Sequence, residues 1–200
     1  MATAIRQPDT GKPIYYSAEM VDALNAAAPG RLPRYECVYG ELLVTKHAPR
    51  PWHHAVLSRL YRALDRYAEG EPAAGYVGGF GSTFRFGRDD VNVDPDLWVV
   101  RADEWRTSVR TEAWDALTVP LLLVEVISPS SRRRDRFAKR RAYMDAGVPL
   151  YWIVDGDNRW VEVWTPGAVF PTVERERLVW RPEGAAEPFV YPLAELFAPV

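Results

Sequence analysis

The spacing of apolar and polar residues changes period several times along the chain, and each change predicts an element. "SAEMVDALNAAAPG" reads as a short helix that Ser17 can cap and Pro29-Gly30 ends. "RYECVYGELLVTK" predicts a hairpin turning near Gly40. In "PWHHAVLSRLYRALDRYAEG", Val56, Leu60, Ala63, Leu64 and Tyr67 share one helical face, and Gly70 stops the helix. "GYVGGFGSTFRFGRDDVNVDPDLWVV" predicts two strands, the first glycine-rich and the second starting near Asp94 and running into Leu97 to Val100. Those glycines do not form a phosphate loop, since no lysine-serine pair or helix follows; they mark bends or close backbone approach. "ADEWRTSVRTEAWDALT" is a polar crossover with some helix in it. "LLLVEVI" is a near-continuous apolar run, as a central strand covered on both faces requires. "SPSSRRRDRFAKRRAYMDAG" is the next helix, with serines at its start and Gly147 at its end. "PLYWIVD" and "RWVEVWTP" are strands joined at Gly156-Asp157-Asn158, "RERLVW" is a further strand and "LAELF" a last helical turn. The order predicts a mixed α/β domain around one sheet.

Composition narrows the class. The chain has 200 residues, which favours a single domain. Residues 1–16 read as an N-terminal arm, about 17–165 as the core and 166–200 as a C-terminal extension. An apolar fraction of 48% and a charged fraction of 26% fit an ordinary soluble globular protein. The net charge is -2, so nucleic-acid contact would need a local patch rather than a global field. Cys37 is the one cysteine, which excludes an intrachain disulfide and a cysteine zinc cluster and fits a reducing, cytoplasmic setting. No apolar stretch reaches the ~18 residues of a membrane span. The opening "MATAIRQPDTGKPIYY" has no apolar core of the signal-peptide kind.

Glu125, in the middle of "LLLVEVI", is the residue that this pattern does not explain. An ionised carboxylate in a core costs several kcal/mol unless it has a partner. Asp96, in "DPDLWVV", is a second acid on an apolar strand. If the two strands are neighbours, the carboxylates converge on one ion, and two carboxylates plus waters suit Mg²⁺ or Mn²⁺. Such an ion activates water and neutralises charge at a phosphate. At about 100° per residue, Asp135 and Lys139 share a helix face with Ala138, Ala142 and Ala146. Small residues let a helix pack closely on a sheet, so this face points inward and carries Lys139 toward Glu125. Asp135 orients Lys139 or closes the helix start. The arginines at 133, 134, 136, 140 and 141 fall on other faces.

Plainer readings stand beside these. A strand acid can be a structural ion-pair member, and Asp135 with Lys139 can be an i,i+4 pair worth a few tenths of a kcal/mol. The arginine run can be a solvated face, or Arg133, Arg136 and Arg140 can touch phosphates. His53 and His54 read as a helix start, with His54 the candidate substrate contact, and Glu36 reads as solvent-facing.

"PD" before an apolar strand, followed by "EVISPSS...D...K...Y...GVPLYWIVD", resembles the Uma-two family of restriction-endonuclease-like proteins, within the PD-(D/E)XK nuclease superfamily. "RYECVYGELLV" and the "HH" helix match its N-terminal half, so the resemblance runs over roughly residues 17–165. It implies a restriction-endonuclease-like core, a central mixed β-sheet flanked by helices, with Asp96 and Glu125 as metal ligands. The superfamily lysine should stand two residues after Glu125, where this chain has Ile127; the resemblance places it instead at Lys139. It also implies that Glu41, in "GEL", is a further metal ligand or positioner and that His54 is the family histidine.

These observations predict a Mg²⁺- or Mn²⁺-dependent endonuclease acting on DNA, with RNA not excluded. In it, Asp96 and Glu125 hold the ion, Lys139 stabilises charge and positions water, and Glu41 supports the metal. The rivals are a non-catalytic nucleic-acid or protein binding module that keeps the fold, and a hydrolase of another phosphoester. If Lys139 is functional, its removal should cost activity with stability nearly unchanged. Phe137 and Met144 lie opposite the alanines, and Trp160 and Trp164 share a strand face with Glu162. These apolar patches predict a homodimer, unless another helix of the chain covers Phe137.

Overall fold

A computed structural model describes residues 14–199 except 29, 31, 47, 80, 129 and 130. Most of the predicted arm, and Pro29 of the predicted helix stop, lie outside the described residues. Helix α1 (Ala18–Ala27) starts as expected, with the Ser17 side chain accepting from the Met20 N–H at 3.2 Å. Strands β1 (Arg34–Val38) and β2 (Glu41–Thr45) form the predicted hairpin. Its turn residues Tyr39 and Gly40 both have positive φ, the left-handed pair that matches strand twist in a two-residue loop. The long helix α2 (Pro51–Gly70) is followed by β3 (Tyr76–Gly79), the short β4 (Val91–Asn92) and β5 (Leu97–Val100). The polar crossover contains α3 (Ala102–Thr111), and the apolar run is β6 (Leu122–Ile127). A π-helical turn (Arg134–Lys139) leads into α4 (Arg140–Asp145). Then come β7 (Tyr151–Asp155), β8 (Trp160–Trp164), β9 (Thr172–Glu174), β10 (Arg177–Trp180), β11 (Phe189–Pro192) and α5 (Leu193–Leu196).

The main sheet has six strands in the order β3-β5-β6-β7-β8-β9. Only β6 and β7 pair in parallel, and the π-helical turn with α4 is the crossover that a parallel pair needs. All six residues of β6 are buried, because both faces of the sheet are covered. On one face lie Val56, Leu57, Leu60 and Leu64 of α2 together with Leu178, Trp180, Phe189, Leu193 and Leu196. On the other lie Ala142 and Tyr143 of α4 and a small sheet, β2-β1-β4, through Val38, Leu43 and Val91. The predicted C-terminal extension is therefore not an appendage. It supplies the edge strand β9 and half of one apolar layer, and Arg59 of α2 donates to the carbonyls of Leu196 (3.1 Å) and Ala198 (2.6 Å).

The apolar stripe expected to join two copies is split between core and surface. Met144 is half-buried in the second core layer, while Phe137 is 64% exposed, with no helix among the described residues covering it. Trp164 is buried beneath the Arg140 guanidinium, 4.3 Å from its ring centroid, and Arg175 lies 4.4 Å from the ring of the half-buried Trp160. Cationic side chains cover the surface that the tryptophans were expected to expose.

Gly78 in β3 shows why that strand is glycine-rich. The Trp98 indole occupies the place of a Gly78 side chain, and Trp98 is hemmed in by the rings of Tyr76, Phe84 and Trp105. Gly78→Ala should lower the unfolding free energy by about 1–3 kcal/mol through overpacking, measured by urea denaturation.

Candidate active site

Strands β5 and β6 are antiparallel with Leu97 opposite Val124, so Asp96, one residue earlier, stands opposite Glu125. The Asp96 Oδ2 accepts from the Val126 N–H at 2.8 Å and lies 3.2 Å from His53 Nε2. The structure thus brings together the two acids that the pattern singled out. The loop before Asp96 is pinned too: the Asp94 N–H donates to Glu36 Oε1 at 2.9 Å, and Arg34 pairs with the Asp94 carboxylate.

Lys139 is the inward residue of the crossover. Its Nζ lies 2.7 Å from Glu125 Oε1, 2.7 Å from Glu36 Oε1 and 3.4 Å from the Asp94 carbonyl, and the residue is 1% exposed. The alanines pack inward as the helical face predicted, with Ala142 buried and Ala138 and Ala146 against the same layer. The geometry of the turn differs from the regular α-helix expected. Bonding of the i→i+5 kind widens it and also turns Arg134 inward, where it donates to Thr45 Oγ1 (2.6 Å) and Asp135 Oδ1 (3.1 Å). Asp135 is buried as well, and the Tyr143 hydroxyl donates to Glu125 Oε1 at 2.9 Å.

Burial works against the Lys139 ammonium, but the Glu125 and Glu36 carboxylates outweigh it and hold its pKa above the ordinary lysine range. Glu36 is likewise opposed by burial, yet Lys139 and Arg134 keep it below the usual carboxylate range. Glu125 goes the other way. Burial, together with Asp135, Asp96 and Glu36, pushes its pKa well up despite Lys139. Five carboxylates (Glu36, Asp94, Asp96, Glu125 and Asp135) face three fixed cations, Arg34, Arg134 and Lys139. With every acid ionised and histidine neutral the cluster would carry a formal charge of -2, an excess that a divalent cation would offset and that proton uptake at the raised acids, Glu125 above all, offsets in its absence.

The donor set fits that charge with hard oxygen ligands. Among the described residues, Asp96 Oδ1 and Glu125 Oε2 accept no hydrogen bond from the protein, which leaves one oxygen of each acid for an ion. Also among the described residues, no three His, Cys, Asp or Glu side chains converge as a ready-made cage. Waters and substrate oxygens would therefore complete an octahedral shell, as is usual for Mg²⁺.

Several expected residues fall elsewhere. Glu41 is exposed at the hairpin turn, and Glu36, read as solvent-facing, is the hairpin acid that reaches Lys139. Strand β1 is covered by β2 and β4 at its edges and packed beneath, so period-two alternation does not decide which of its residues are buried. His54 is exposed; His53 is the histidine at Asp96. The signal was available, since His53 is spaced with Val56, Leu57, Leu60 and Leu64 on the buried face of α2. Arg133 is exposed on the outer side of the turn. Arg136 is tied to Glu162 Oε1 (2.8 Å) and Asp155 Oδ2 (3.1 Å), and Arg140 covers Trp164, so both have structural partners. A surface cavity of about 540 Å³ is lined by Tyr39, Phe86, Arg88 and Asp145 and includes neither Asp96 nor Glu125.

The burial of Lys139 reverses one expectation. Lys139→Ala should not leave stability unchanged, because it strands Glu36 and Glu125 as uncompensated buried acids. It should lower the unfolding free energy by about 3–5 kcal/mol, measured by chemical denaturation.

Comparison with known proteins follows the same outline. No curated protein matches the chain. A solved structure described as a putative nuclease of DUF820 from Anabaena variabilis superposes with a TM-score of 0.68 at 20% identity. The match covers 93% of this chain and 98% of that one. At that identity the likeness shows the shared fold: a mixed six-stranded sheet flanked by helices. The family model Uma2, described as "Putative restriction endonuclease", matches residues 20–186. The match takes in the hairpin of Glu36, the helix of His53, both strand acids and Lys139, and the chain belongs to this family.

Proposed function

We propose that this chain is a metal-dependent nuclease that hydrolyses DNA phosphodiester bonds, with Asp96 and Glu125 holding Mg²⁺ or Mn²⁺. The observation that carries the reading is the convergence of Asp96, Glu125 and a buried lysine in a cluster with more carboxylates than cations. The family description, restriction endonuclease, supports DNA as the substrate over RNA. A bound ion would supply a polarised water and neutralise charge at the phosphate. The remaining work falls to the chain. The Val126 N–H and His53 fix Asp96 through Oδ2. Lys139 fixes Glu125 through Oε1 and offsets its charge. Two of the three ammonium donors are held at 2.7 Å and the third points to the Asp94 carbonyl at 3.4 Å, so Lys139 acts by holding the acids in place. Glu36 is the anion that keeps Lys139 charged and in place.

No helix among the described residues is long and apolar enough to cross a membrane, which is compatible with a substrate in the cytoplasm. A homodimer would suit two cuts on a duplex, but of the predicted contact face only Phe137 is free to serve it.

Two measurements test the reading. The folded protein should bind Mn²⁺ by calorimetry, and Glu125→Gln should abolish that binding while keeping the fold. With Mg²⁺ or Mn²⁺ present, the wild type should nick supercoiled plasmid, and Asp96→Asn and Glu125→Gln should reduce cleavage by at least about a hundredfold. A wild-type protein that binds no divalent ion and yet retains DNA would instead be a binding module built on the same fold.

A further inference from the structure

Tyr143 is fully buried, and its hydroxyl lies 2.9 Å from Glu125 Oε1, the same oxygen that accepts from Lys139 at 2.7 Å. The two donors stand four residues apart on consecutive turns of the crossover, so they approach Glu125 from one side. A carboxylate oxygen has two lone-pair sites, and here both are taken on Oε1. Among the described residues nothing donates to Oε2. The carboxylate is thus held asymmetrically, with one oxygen saturated by the protein and the other left open.

The phenol has little freedom to leave. Its ring meets Tyr151 edge to face at 4.9 Å between centroids and Phe86 at 6.0 Å. Tyr151 is itself anchored, its hydroxyl 3.2 Å from the Asp135 carbonyl within the π-helical turn. The turn that delivers Lys139 therefore also holds the ring that braces Tyr143. A bond that only satisfied a buried acid would not need to fall on an oxygen already carrying an ammonium.

We infer that Tyr143 is a positioning residue for the metal site: with Lys139 it saturates Oε1 of Glu125, so that Oε2 is the oxygen presented to the divalent ion opposite Asp96. The inference rests on the metal-dependent reading above and adds a residue to it. Partners of this kind orient a ligating carboxylate, and their loss weakens metal binding by about ten- to a hundredfold.

The test is Mn²⁺ binding followed by electron paramagnetic resonance, with Mg²⁺ competition, on the full chain. Tyr143→Phe should stay folded and bind Mn²⁺ about ten- to a hundredfold more weakly. Tyr39→Phe removes a tyrosine–carboxylate bond of similar kind, to Asp145, away from the two strand acids, and should bind as the wild type does. Unchanged Mn²⁺ affinity in a folded Tyr143→Phe protein overturns the inference while leaving the metal site standing. A wild type that binds no Mn²⁺ overturns the metal reading itself, and this inference with it. Should Tyr143→Phe not fold, the ring-carbon resonance of Tyr143 in the wild type decides. It should shift on Mg²⁺ addition while that of Tyr39 does not, and an unmoved Tyr143 resonance in the metal-bound protein overturns the inference.

Discussion

The ammonium of Lys139, buried between Glu36 and Glu125, is the constraint around which this end of the molecule is organised. Three chain segments distant in sequence meet on one nitrogen: the N-terminal hairpin, the central strand and the crossover. None of the three charges tolerates burial alone. The hairpin carrying Glu36 must dock, the π-helical turn must widen, and β6 must carry an acid through a core. Arg134 and Asp135, both drawn in by the same turn, extend the alternation of charge on one side.

The electrostatic balance of the cluster differs from that of a simple buried ion pair. Lys139 stays charged and Glu36 stays ionised, so burial first, and then the neighbouring Asp135 and Asp96, push Glu125 toward its neutral form. A pair built only for stability would have no surplus acid at its edge. Here the surplus sits on Asp96, just before β5, and Glu125, within β6, each of which keeps one oxygen free of donors among the described residues. The fold provides rigid support for that surplus: Glu125 stands on β6 and Asp96 directly before β5, both strands are covered on both faces, and the C-terminal hairpin and α5 complete one of those covers.

What the sequence determined by itself follows from short-range periodicity. The apolar run of β6, the faces of α2 and the crossover, and the hairpin at Gly40 are local patterns, and they were legible because strand and helix periods differ. Glu125 was conspicuous for the same reason, as the one charge in an apolar run, and Asp96 and Lys139 followed from it by strand adjacency and helical face. The motif spacing also carried the family.

Tertiary structure decided which of several equivalent residues enters the site. Glu36 and Glu41 lie on one hairpin, and Arg133, Arg134 and Arg136 share one run; nothing local separates them, whereas the spacing of His53 with the buried face of α2 does set it apart from His54. The choice depended on how the hairpin docks on the sheet and on the extra residue that the π-helical turn accommodates, and both are set by contacts across the chain. The C-terminal strands were hard to place for a related reason. Their apolar residues come in short runs whose meaning appears only when Leu178, Trp180 and Phe189 lie against α2 and the sheet. Local sequence specifies an element by its period, but a buried charge is specified by its partner, and that partner is brought to it only by the fold.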